Sequence, residues 1–216
     1  MKSLIFDLDG TLINSLLDIA LSMNSVLKKH DYPSHEIEKY NYFVGDGALV
    51  LVKNAMPENS KEEEIKKVLK SFIEIYEQNT HNNTFAYEGI YEMLEKIELL
   101  NIKKAVLSNK PHKFTIKYME KIFNNFYFQE IHGQKIDVPK KPDPTMAVQI
   151  ATKLNTNIED MIFIGDTSTD IKTAKNANMK SIGVAWGFRP IEELKEAGAD
   201  FIAHKPMDIV DYVSSL

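Results

Sequence analysis

The sequence of 216 residues contains no cysteine and only one arginine, and both scarcities limit its chemistry. Without cysteine the chain can form no disulfide, no thiolate zinc site and no cysteine nucleophile. Because Arg189 is the single arginine, an anion site elsewhere must use lysine, backbone N–H groups or a metal ion. The lack of cysteine also fits a reducing compartment, and we expect a cytoplasmic protein.

Long apolar runs and an excess of positive charge are missing as well. No apolar run approaches the roughly 18 residues that a membrane span requires, and the N-terminal residues lack the apolar region of a signal peptide. The net charge is −5, whereas an extended nucleic-acid surface needs a basic face. We therefore expect neither a membrane nor a nucleic acid as a partner. A small anion needs only a few local hydrogen-bond donors, so the net charge does not exclude it as a ligand.

Short apolar segments alternate with amphipathic helical patterns along most of the chain. The segments are too short for helices and are apolar on both faces, as buried parallel strands are. They lie at residues 4–6, 105–107, 162–164, 182–184 and 201–202. This alternation predicts an α/β protein with a three-layer, Rossmann-like core, in which helices cover both faces of a mainly parallel sheet.

One long stretch near the N-terminus departs from this alternation. From about residue 15 to residue 82 the apolar residues recur only at helical spacing. At its start, Ser15 followed by Asp18 is typical of a capping box. We predict that residues 15–82 form a helical cap domain inserted after the first strand. Residues 1–14 and 83–216 would then form the catalytic core domain.

Carboxylates and other polar groups follow the predicted strands, at the edge where open α/β sheets bind ligands. They are Asp7, Asp9, Ser108, Asn109, Lys141, Asp166 and Asp170. Two carboxylates about 4 Å apart repel by roughly 4 kcal/mol at an effective dielectric constant of about 20. Four carboxylates near one rim therefore require a cation or raised pKa values. Ligands that are all oxygen select a hard ion such as Mg²⁺.

The remaining polar groups suit a phosphate. Ser108 offers a hydroxyl, and Gly10, Thr11 and Asn109 offer backbone N–H groups at the start of the segments that follow the strands. Lys141 can neutralise phosphate charge. A carboxylate beside a divalent ion and a phosphate can act as a nucleophile and form an aspartyl phosphate. A second carboxylate could protonate the leaving oxygen and then activate water.

Each of these features alone has an ordinary explanation, because Asp, Gly and Ser are common in turns and at helix starts. Their occurrence together, each after a strand, favours the functional interpretation. The loop containing Gly45 and Gly47 could bind the non-phosphate end of a substrate or could be a plain helix start. His112 could approach the site. Arg189 could reach the rim, although an ion pair or a helix cap is its more ordinary role.

These motifs, in this order, resemble the haloacid dehalogenase superfamily over essentially the whole chain. Asp7-Leu8-Asp9-Gly10-Thr11 is similar to the first motif of that superfamily, Ser108 to the second and Lys141 to the third. Gly165-Asp166 with Asp170 is similar to the fourth. The helical insert corresponds to a cap of the superfamily's first type.

Within the superfamily the chain is most similar to phosphoglycolate phosphatases, notably at 43–47, 108–111 and 141–144. The resemblance implies that Asp7 is the nucleophile and a metal ligand. It makes Asp9 the general acid/base, which also binds the metal through its backbone carbonyl. Further roles follow from the same resemblance: Asp166 binds Mg²⁺, Asp170 orients a metal-bound water or Lys141, and Ser108, Asn109 and Lys141 hold the phosphoryl group.

Three functions are compatible with the sequence. The first is a magnesium-dependent phosphomonoester hydrolase acting on a small phosphorylated metabolite, with 2-phosphoglycolate the leading substrate. The second is a phosphomutase resembling β-phosphoglucomutase, which would pass the phosphoryl group to another sugar hydroxyl. The third is a non-enzymatic phospho-acceptor like a receiver domain, against which Asp9 and the helical insert argue.

Overall fold

A computed structural model describes residues 2–79 and 82–216 of the protein; Met1, Thr80 and His81 lie outside the described residues. The described residues form eight strands: β1 (Ser3–Phe6), β2 (Ile13–Asn14), β3 (Phe85–Ala86), β4 (Lys103–Pro111), β5 (Glu130–Gln134), β6 (Met161–Gly165), β7 (Lys180–Val184) and β8 (Phe201–Ala203). Six of them make one parallel sheet in the order β5–β4–β1–β6–β7–β8. The predicted parallel sheet is confirmed.

The first strand lies at the centre of this sheet, where Phe6 is in register with Val106 of β4 and Ile164 of β6. From β1 the chain builds one side of the sheet through β4 and β5. It then returns to build the other side through β6, β7 and β8. The connections thus diverge on either side of β1, and ligands of open α/β sheets bind at such a switch point, beyond the carboxyl ends of the strands.

Helices cover both faces of the sheet. They are α1 (Leu16–Lys29), α2 (Tyr40–Phe43), α3 (Ala48–Ala55), α4 (Glu62–Gln78), α5 (Ile90–Leu99), α6 (His112–Ile122), α7 (Thr145–Lys153), α8 (Ser168–Asn176), α9 (Ile191–Glu196) and α10 (Pro206–Ser214). Within 2–79 and 82–216, no helix combines the length and the apolar character that crossing a bilayer requires.

The two faces of β1 show how three layers arise from a short apolar run. Successive side chains of a strand point to opposite faces. Ile5 belongs to the cluster that packs against α7 and α8. Leu4 and Phe6 belong to a larger cluster that includes residues of α5, α6 and α10 and continues into the helical insert. Both faces are therefore buried, which explains why the strand carries no polar residue beyond Ser3.

Helices α1 to α4 form the insert that follows β1 and β2. The strands β2 and β3 flank it as an antiparallel pair, with Ile13 opposite Ala86 and Asn14 opposite Phe85. The two connections to the insert therefore run side by side, close to the expected boundaries at residues 15 and 82. Within the insert α1 packs against α4, and α3 packs against α2 and α4.

The capping box predicted at Ser15 and Asp18 is wrong. Helix α1 does begin at Leu16, but Ser15 makes no side-chain cap. Its hydroxyl instead donates to Asp9 Oδ1 at 2.5 Å. Asp18 accepts hydrogen bonds from the Thr84 hydroxyl at 2.6 Å and from the backbone and side chain of Asn83 at 3.1 and 2.9 Å. Both residues make tertiary contacts that local sequence could not reveal.

Two details of the sheet also differ from expectation. Strand β5 is not among the predicted strands. It lies half-buried at the edge of the sheet, so its sequence, Glu130-Ile131-His132-Gly133-Gln134, does not need an apolar run and has none. Strand β4 extends to Pro111, beyond the expected end at residue 107. The polar residues 108–110 therefore lie within the last part of this strand rather than after it.

The contacts of Asp18 generate a stability prediction. Asp18→Ala leaves the Thr84 hydroxyl and the Asn83 backbone N–H without their buried acceptor, which costs about 1–3 kcal/mol. We expect the free energy of unfolding, measured by urea denaturation, to fall by that amount. Asp211→Ala, at an exposed position of α10, is the control and should change it by less than about 0.5 kcal/mol. Equal effects of the two substitutions would contradict the role of Asp18.

Candidate active site

Three aspartates converge at the carboxyl ends of β1 and β6. Asp7 directly follows β1, Asp166 directly follows β6, and Asp170 lies in the first turn of α8. One carboxylate oxygen of each aspartate lies within 4.8 Å of a carboxylate oxygen of each of the other two. All three residues are buried. Part of the predicted acidic cluster is thus present, and it is shielded from water.

Lys141 lies inside this cluster. Its Nζ is 2.9 Å from Asp7 Oδ1 and 2.7 Å from Asp170 Oδ1, and its side chain is 1% exposed. Burial alone would lower the pKa of Lys141, but the carboxylates of Asp170 and Asp7 raise it above its ordinary value. The lysine is therefore charged and offsets part of the negative charge.

Both carboxylate oxygens of Asp170 accept hydrogen bonds from neighbouring groups. One oxygen accepts the hydrogen bond from Lys141. The other accepts hydrogen bonds from the backbone N–H and the hydroxyl of Thr167, at 3.0 and 2.8 Å. With both oxygens engaged, Asp170 is better suited to orienting Lys141 than to binding an ion directly.

Asp166 is held by two donors and by close backbone. Its Oδ1 accepts from the Thr11 hydroxyl at 3.1 Å, and its Oδ2 accepts from the Phe188 N–H at 2.8 Å. A Cβ at Gly10 would lie 2.2 Å from Asp166 Oδ2, and a Cβ at Gly187 would lie 2.1 Å from Asp166 Cβ. Both positions therefore require glycine, which explains the Gly10 of the first motif.

When fully ionised, the three carboxylates carry more negative charge than Lys141 neutralises. Burial raises the pKa of Asp7 to about 7, against the opposing effect of Lys141. Burial, and then the charges of Asp170 and Asp7, raise the pKa of Asp166 well above its ordinary value. Among the described residues, the one close cationic neighbour of the buried Asp7 Oδ1 is Lys141 Nζ at 2.9 Å, and the two atoms are not aligned for a good hydrogen bond. Crowded, underneutralised carboxylate oxygens of this kind fit a hard divalent cation.

The side chain of Asp9 lies outside this cluster, on the side of the helical insert. It accepts hydrogen bonds from the Ser15 hydroxyl and, at 3.0 Å to each oxygen, from Lys110 Nζ. Lys110 also donates to the hydroxyl of Tyr76, a residue of α4, at 2.9 Å. Sequence reasoning missed both residues, because a single lysine and a single tyrosine carry no functional signal in their local patterns.

The backbone N–H groups of Gly10 and Thr11, which the sequence suggested as phosphate donors, have partners within the turn. The Gly10 N–H donates to Ile13 O at 2.9 Å, and the Thr11 N–H donates to Leu8 O at 3.3 Å, so the turn itself uses both groups. By contrast, no described residue accepts a hydrogen bond from the N–H of Leu8 or Asp9. Buried N–H groups rarely lack an acceptor, so these two are the better candidates for binding an anion.

The side chain of Asn109 joins three segments around the site. Its Nδ2 donates to the carbonyls of Gly45 and Lys141 at 3.1 and 3.2 Å, and its Oδ1 accepts from the Lys141 N–H at 3.0 Å. It therefore fixes the backbone of the lysine and the loop of the insert. A phosphate contact through the Asn109 backbone N–H stays a prediction.

The loop of residues 44–47, here called the cap loop, is seated on the core. Lys140 Nζ donates to Asp46 O at 2.6 Å. Gly47 has φ +90°, and a Cβ there would lie 3.1 Å from Asn109 O. The left-handed backbone and the close approach together explain this glycine. Gly47 is also the residue before α3, so the plain helix start is present as well.

Arg189 and His112 do not meet the carboxylate cluster. Arg189 donates to Val44 O at 3.0 Å and lies 3.3 Å from Glu193, so it fastens the cap loop to the core. His112 Nδ1 accepts from the Gly133 N–H at 3.1 Å and thereby ties α6 to β5. The more ordinary role expected for Arg189, an ion pair, is confirmed.

A cavity that opens to solvent lies between the insert and the core at this point. Asp7, Asp9 and Ser108 line it from the core, with Lys110 as its cationic residue. Most of the other lining groups are apolar and come largely from the insert; they include Val44, Gly45, Gly47, Ala48, Leu51, Phe72 and Tyr76. The cavity thus has charged groups on the side of the core and an apolar wall on the side of the insert.

Comparison with known proteins agrees with this geometry. Residues 4–184 match the model of the haloacid dehalogenase-like hydrolase family. The chain is 29% identical to a phosphoglycolate phosphatase of Vibrio parahaemolyticus over 99% of this chain and 96% of that one. It is 31% identical to one of Psychrobacter arcticus over 97% and 94%.

Among solved structures, it is similar to a predicted phosphoglycolate phosphatase of Haemophilus somnus, with a TM-score of 0.90 and 29% identity over 98% and 97% of the two chains. The likeness extends over the insert as well as the core. The match to the family covers most of the chain and includes the segments that carry all three clustered aspartates and Lys141. The chain belongs to the haloacid dehalogenase-like hydrolase family.

Proposed function

We propose that this protein is a magnesium-dependent phosphatase that hydrolyses a small phosphorylated metabolite through an aspartyl phosphate on Asp7, with 2-phosphoglycolate the leading substrate. The observation that carries the proposal is the position of Asp7, a buried carboxylate 2.9 Å from Lys141 and grouped with Asp166. The name phosphoglycolate phosphatase, borne by relatives that are 29% and 31% identical to this chain, supports the substrate.

The residues suited to hold the metal are Asp7, Asp166 and the backbone carbonyl of Asp9. Mg²⁺ bound there would neutralise charge on the carboxylates and on the phosphoryl oxygens. Asp170 would act indirectly, by holding Lys141. The fit rests on the donor chemistry: oxygen atoms only, buried, and short of positive charge.

The reaction then follows from the two aspartates of the first motif. A carboxylate oxygen of Asp7 attacks phosphorus as the bond to the leaving oxygen breaks, and Asp9, which must carry a proton at this step, gives that proton to the leaving oxygen. Asp9 next takes a proton from water, which attacks the phosphoryl group and breaks its bond to Asp7. Phosphate leaves, and both aspartates return to their starting states.

The phosphoryl group needs donors throughout these steps. Lys141 remains charged and can contact it beside Asp7. The Ser108 hydroxyl lines the cavity, and the unpartnered N–H groups of Leu8 and Asp9 are close in sequence to the nucleophile. Three segments would thus supply donors, which compensates for the absence of an arginine from the site.

We further propose that residues 15–82 act as a cap that closes the site and that its loop at Gly45 and Gly47 limits what fits beside the phosphate. The apolar lining contributed by the insert supports this role, because excluding water strengthens the electrostatic interactions inside. The paired strands β2 and β3 are the place where such a cap would pivot.

The first test is turnover itself. With Mg²⁺ the wild-type protein should release phosphate from 2-phosphoglycolate, and EDTA should stop the release. Asp7→Asn removes the nucleophile and should lower kcat by about 10⁴-fold or more, with an unchanged circular dichroism spectrum. Asp137→Asn, at an exposed loop position, is the control and should retain full activity.

Other outcomes of this test would favour the alternatives. Interconversion of sugar phosphate isomers without phosphate release would indicate a phosphomutase. A persistent phosphoprotein without turnover would indicate a phospho-acceptor module. Wild-type activity in Asp7→Asn would mean that the nucleophile is another residue.

The raised pKa of Asp7 predicts that magnesium binding depends on pH. An ion that binds Asp7 must displace its proton wherever the pH lies below the pKa of about 7. Apparent affinity, measured by calorimetry, should therefore weaken as pH falls from 8 to 6, by up to roughly tenfold per pH unit for one proton. Asp166→Asn should weaken binding at both pH values. An affinity that is the same at pH 6 and pH 8 would count against Asp7 as a ligand.

The close approach of Gly47 to Asn109 predicts a change in substrate selection. Gly47→Ala places a Cβ 3.1 Å from Asn109 O at a left-handed backbone position, which costs roughly 1–2 kcal/mol and should displace the cap loop. We expect kcat/KM ratios among phosphate esters of different size to change at least several-fold. Leu49→Ala, two residues away and exposed, should leave them unaltered. Unchanged ratios in Gly47→Ala would favour the plain helix start.

A further inference from the structure

We propose that Lys110 positions the general acid/base Asp9 and that Tyr76 of the cap completes this arrangement when the cap is seated. This inference rests on the proposed function, because it concerns the residue that would protonate the leaving group. It assigns a role to a buried lysine whose ammonium group lies outside the carboxylate cluster of Asp7, Asp166 and Asp170.

The position of Lys110 follows from the extended form of β4. Alternate residues of a strand point to the same face, so Ser108 and Lys110 point the same way and both line the cavity. Asn109 points to the opposite side, where it holds the backbone of Lys141. The extension of β4 to Pro111 is therefore what brings Lys110 to the site.

All three N–H donors of Lys110 have partners. They are the two carboxylate oxygens of Asp9, each at 3.0 Å, and the Tyr76 hydroxyl at 2.9 Å. The rings of Tyr76 and Tyr118 also lie 4.9 Å from Nζ. An ammonium group whose side chain is 4% exposed needs such partners, and these contacts leave it no donor for a substrate.

Asp9 is consequently held from two sides. Lys110 reaches it from β4, and the Ser15 hydroxyl reaches it from the start of α1 at 2.5 Å. The carboxylate can therefore present its oxygens to the cavity in a narrow range of orientations. General acid catalysis depends on that orientation, because the proton must be delivered across a hydrogen bond to the leaving oxygen.

Tyr76 makes this arrangement sensitive to the cap, since it belongs to α4 while Lys110 and Asp9 belong to the core. Burial raises the pKa of the Tyr76 phenol well above its ordinary value, so the hydroxyl is neutral and can accept from Lys110. If the cap moves away, Lys110 loses one of its three partners. The geometry of Asp9 would then be set only when the substrate is enclosed.

Esters that differ in their leaving group provide the test. The alkoxide that departs from 2-phosphoglycolate is a poor leaving group and needs a proton, whereas the 4-nitrophenolate of 4-nitrophenyl phosphate does not. Lys110→Met should lower the single-turnover rate of leaving-group release from 2-phosphoglycolate by about 10²-fold or more, approaching the loss in Asp9→Asn. It should change that rate for 4-nitrophenyl phosphate far less; kcat would also include hydrolysis of the aspartyl phosphate, a later step common to both esters. Lys96→Met removes an exposed lysine of α5 in the core and should leave both rates unchanged.

Two further variants separate positioning from damage to the fold. Lys110→Arg keeps a charged donor and should recover part of the lost rate on 2-phosphoglycolate. Tyr76→Phe removes only the hydroxyl and should give the same leaving-group pattern with a smaller loss, of several-fold, even if Lys110→Met proves too unstable to purify. Magnesium affinity should be unchanged in Tyr76→Phe, since the cluster at Asp7 is intact.

Specific outcomes would overturn the inference. Equal losses of this single-turnover rate on the two esters would show that Lys110 serves the structure alone. A loss that appears only in KM, and only for esters carrying a carboxylate, would show that Lys110 binds the substrate directly. A wild-type protein that is inactive on both esters would refute the proposed function itself. If the wild type is active and Lys110→Met has the wild-type rates on both esters, only this inference is refuted.

Discussion

The charge buried between β1 and β6 is the constraint on which the rest of the site depends. Carboxylate oxygens from three aspartates lie within 4.8 Å of one another, and at that distance a pair of charges repels by about 3 kcal/mol at an effective dielectric constant of about 20. Lys141 offsets part of this repulsion, and its own burial is tolerable only because Asp7 and Asp170 surround it. Each group is therefore stable there because of the others.

Much of the surrounding chain is arranged to maintain this charged centre. The backbone passes Asp166 so closely at Gly10 and Gly187 that neither position has room for a Cβ. Trp186 reinforces the same contact, since its indole N–H donates to Thr11 O at 3.0 Å. The loop after β7 thus packs against the loop after β1, and a motif that appears local in sequence is held by a segment nearly 180 residues away.

The sequence predicts structure and site best where an apolar strand pattern is followed directly by reactive side chains. Buried parallel strands need apolar residues on both faces, so β1 and β6 could be predicted, and the aspartates that follow them could be placed at one edge. Strand β5 escaped prediction because an edge strand need not be apolar. The N–H groups of Gly10 and Thr11 were assigned to a phosphate because residue types do not show which donors a turn consumes. Leu8 has no polar side chain and gave no signal at all.

The same limit explains why Ser15, Lys110 and Tyr76 were not recognised as neighbours of Asp9. Local patterns assign Ser15 to a helix cap, Lys110 to a helix opening and Tyr76 to an apolar stripe, and each assignment is reasonable for a single element. Their shared position arises only when the helical insert folds back over the sheet and meets the end of β4. The side chain of Asp7 is contacted by the core, while that of Asp9 is contacted by the start of the insert and, through Lys110, by α4. The two aspartates, two residues apart in sequence, are thus held by different parts of the fold, so a movement of the insert would alter the surroundings of Asp9 and leave those of Asp7 in place.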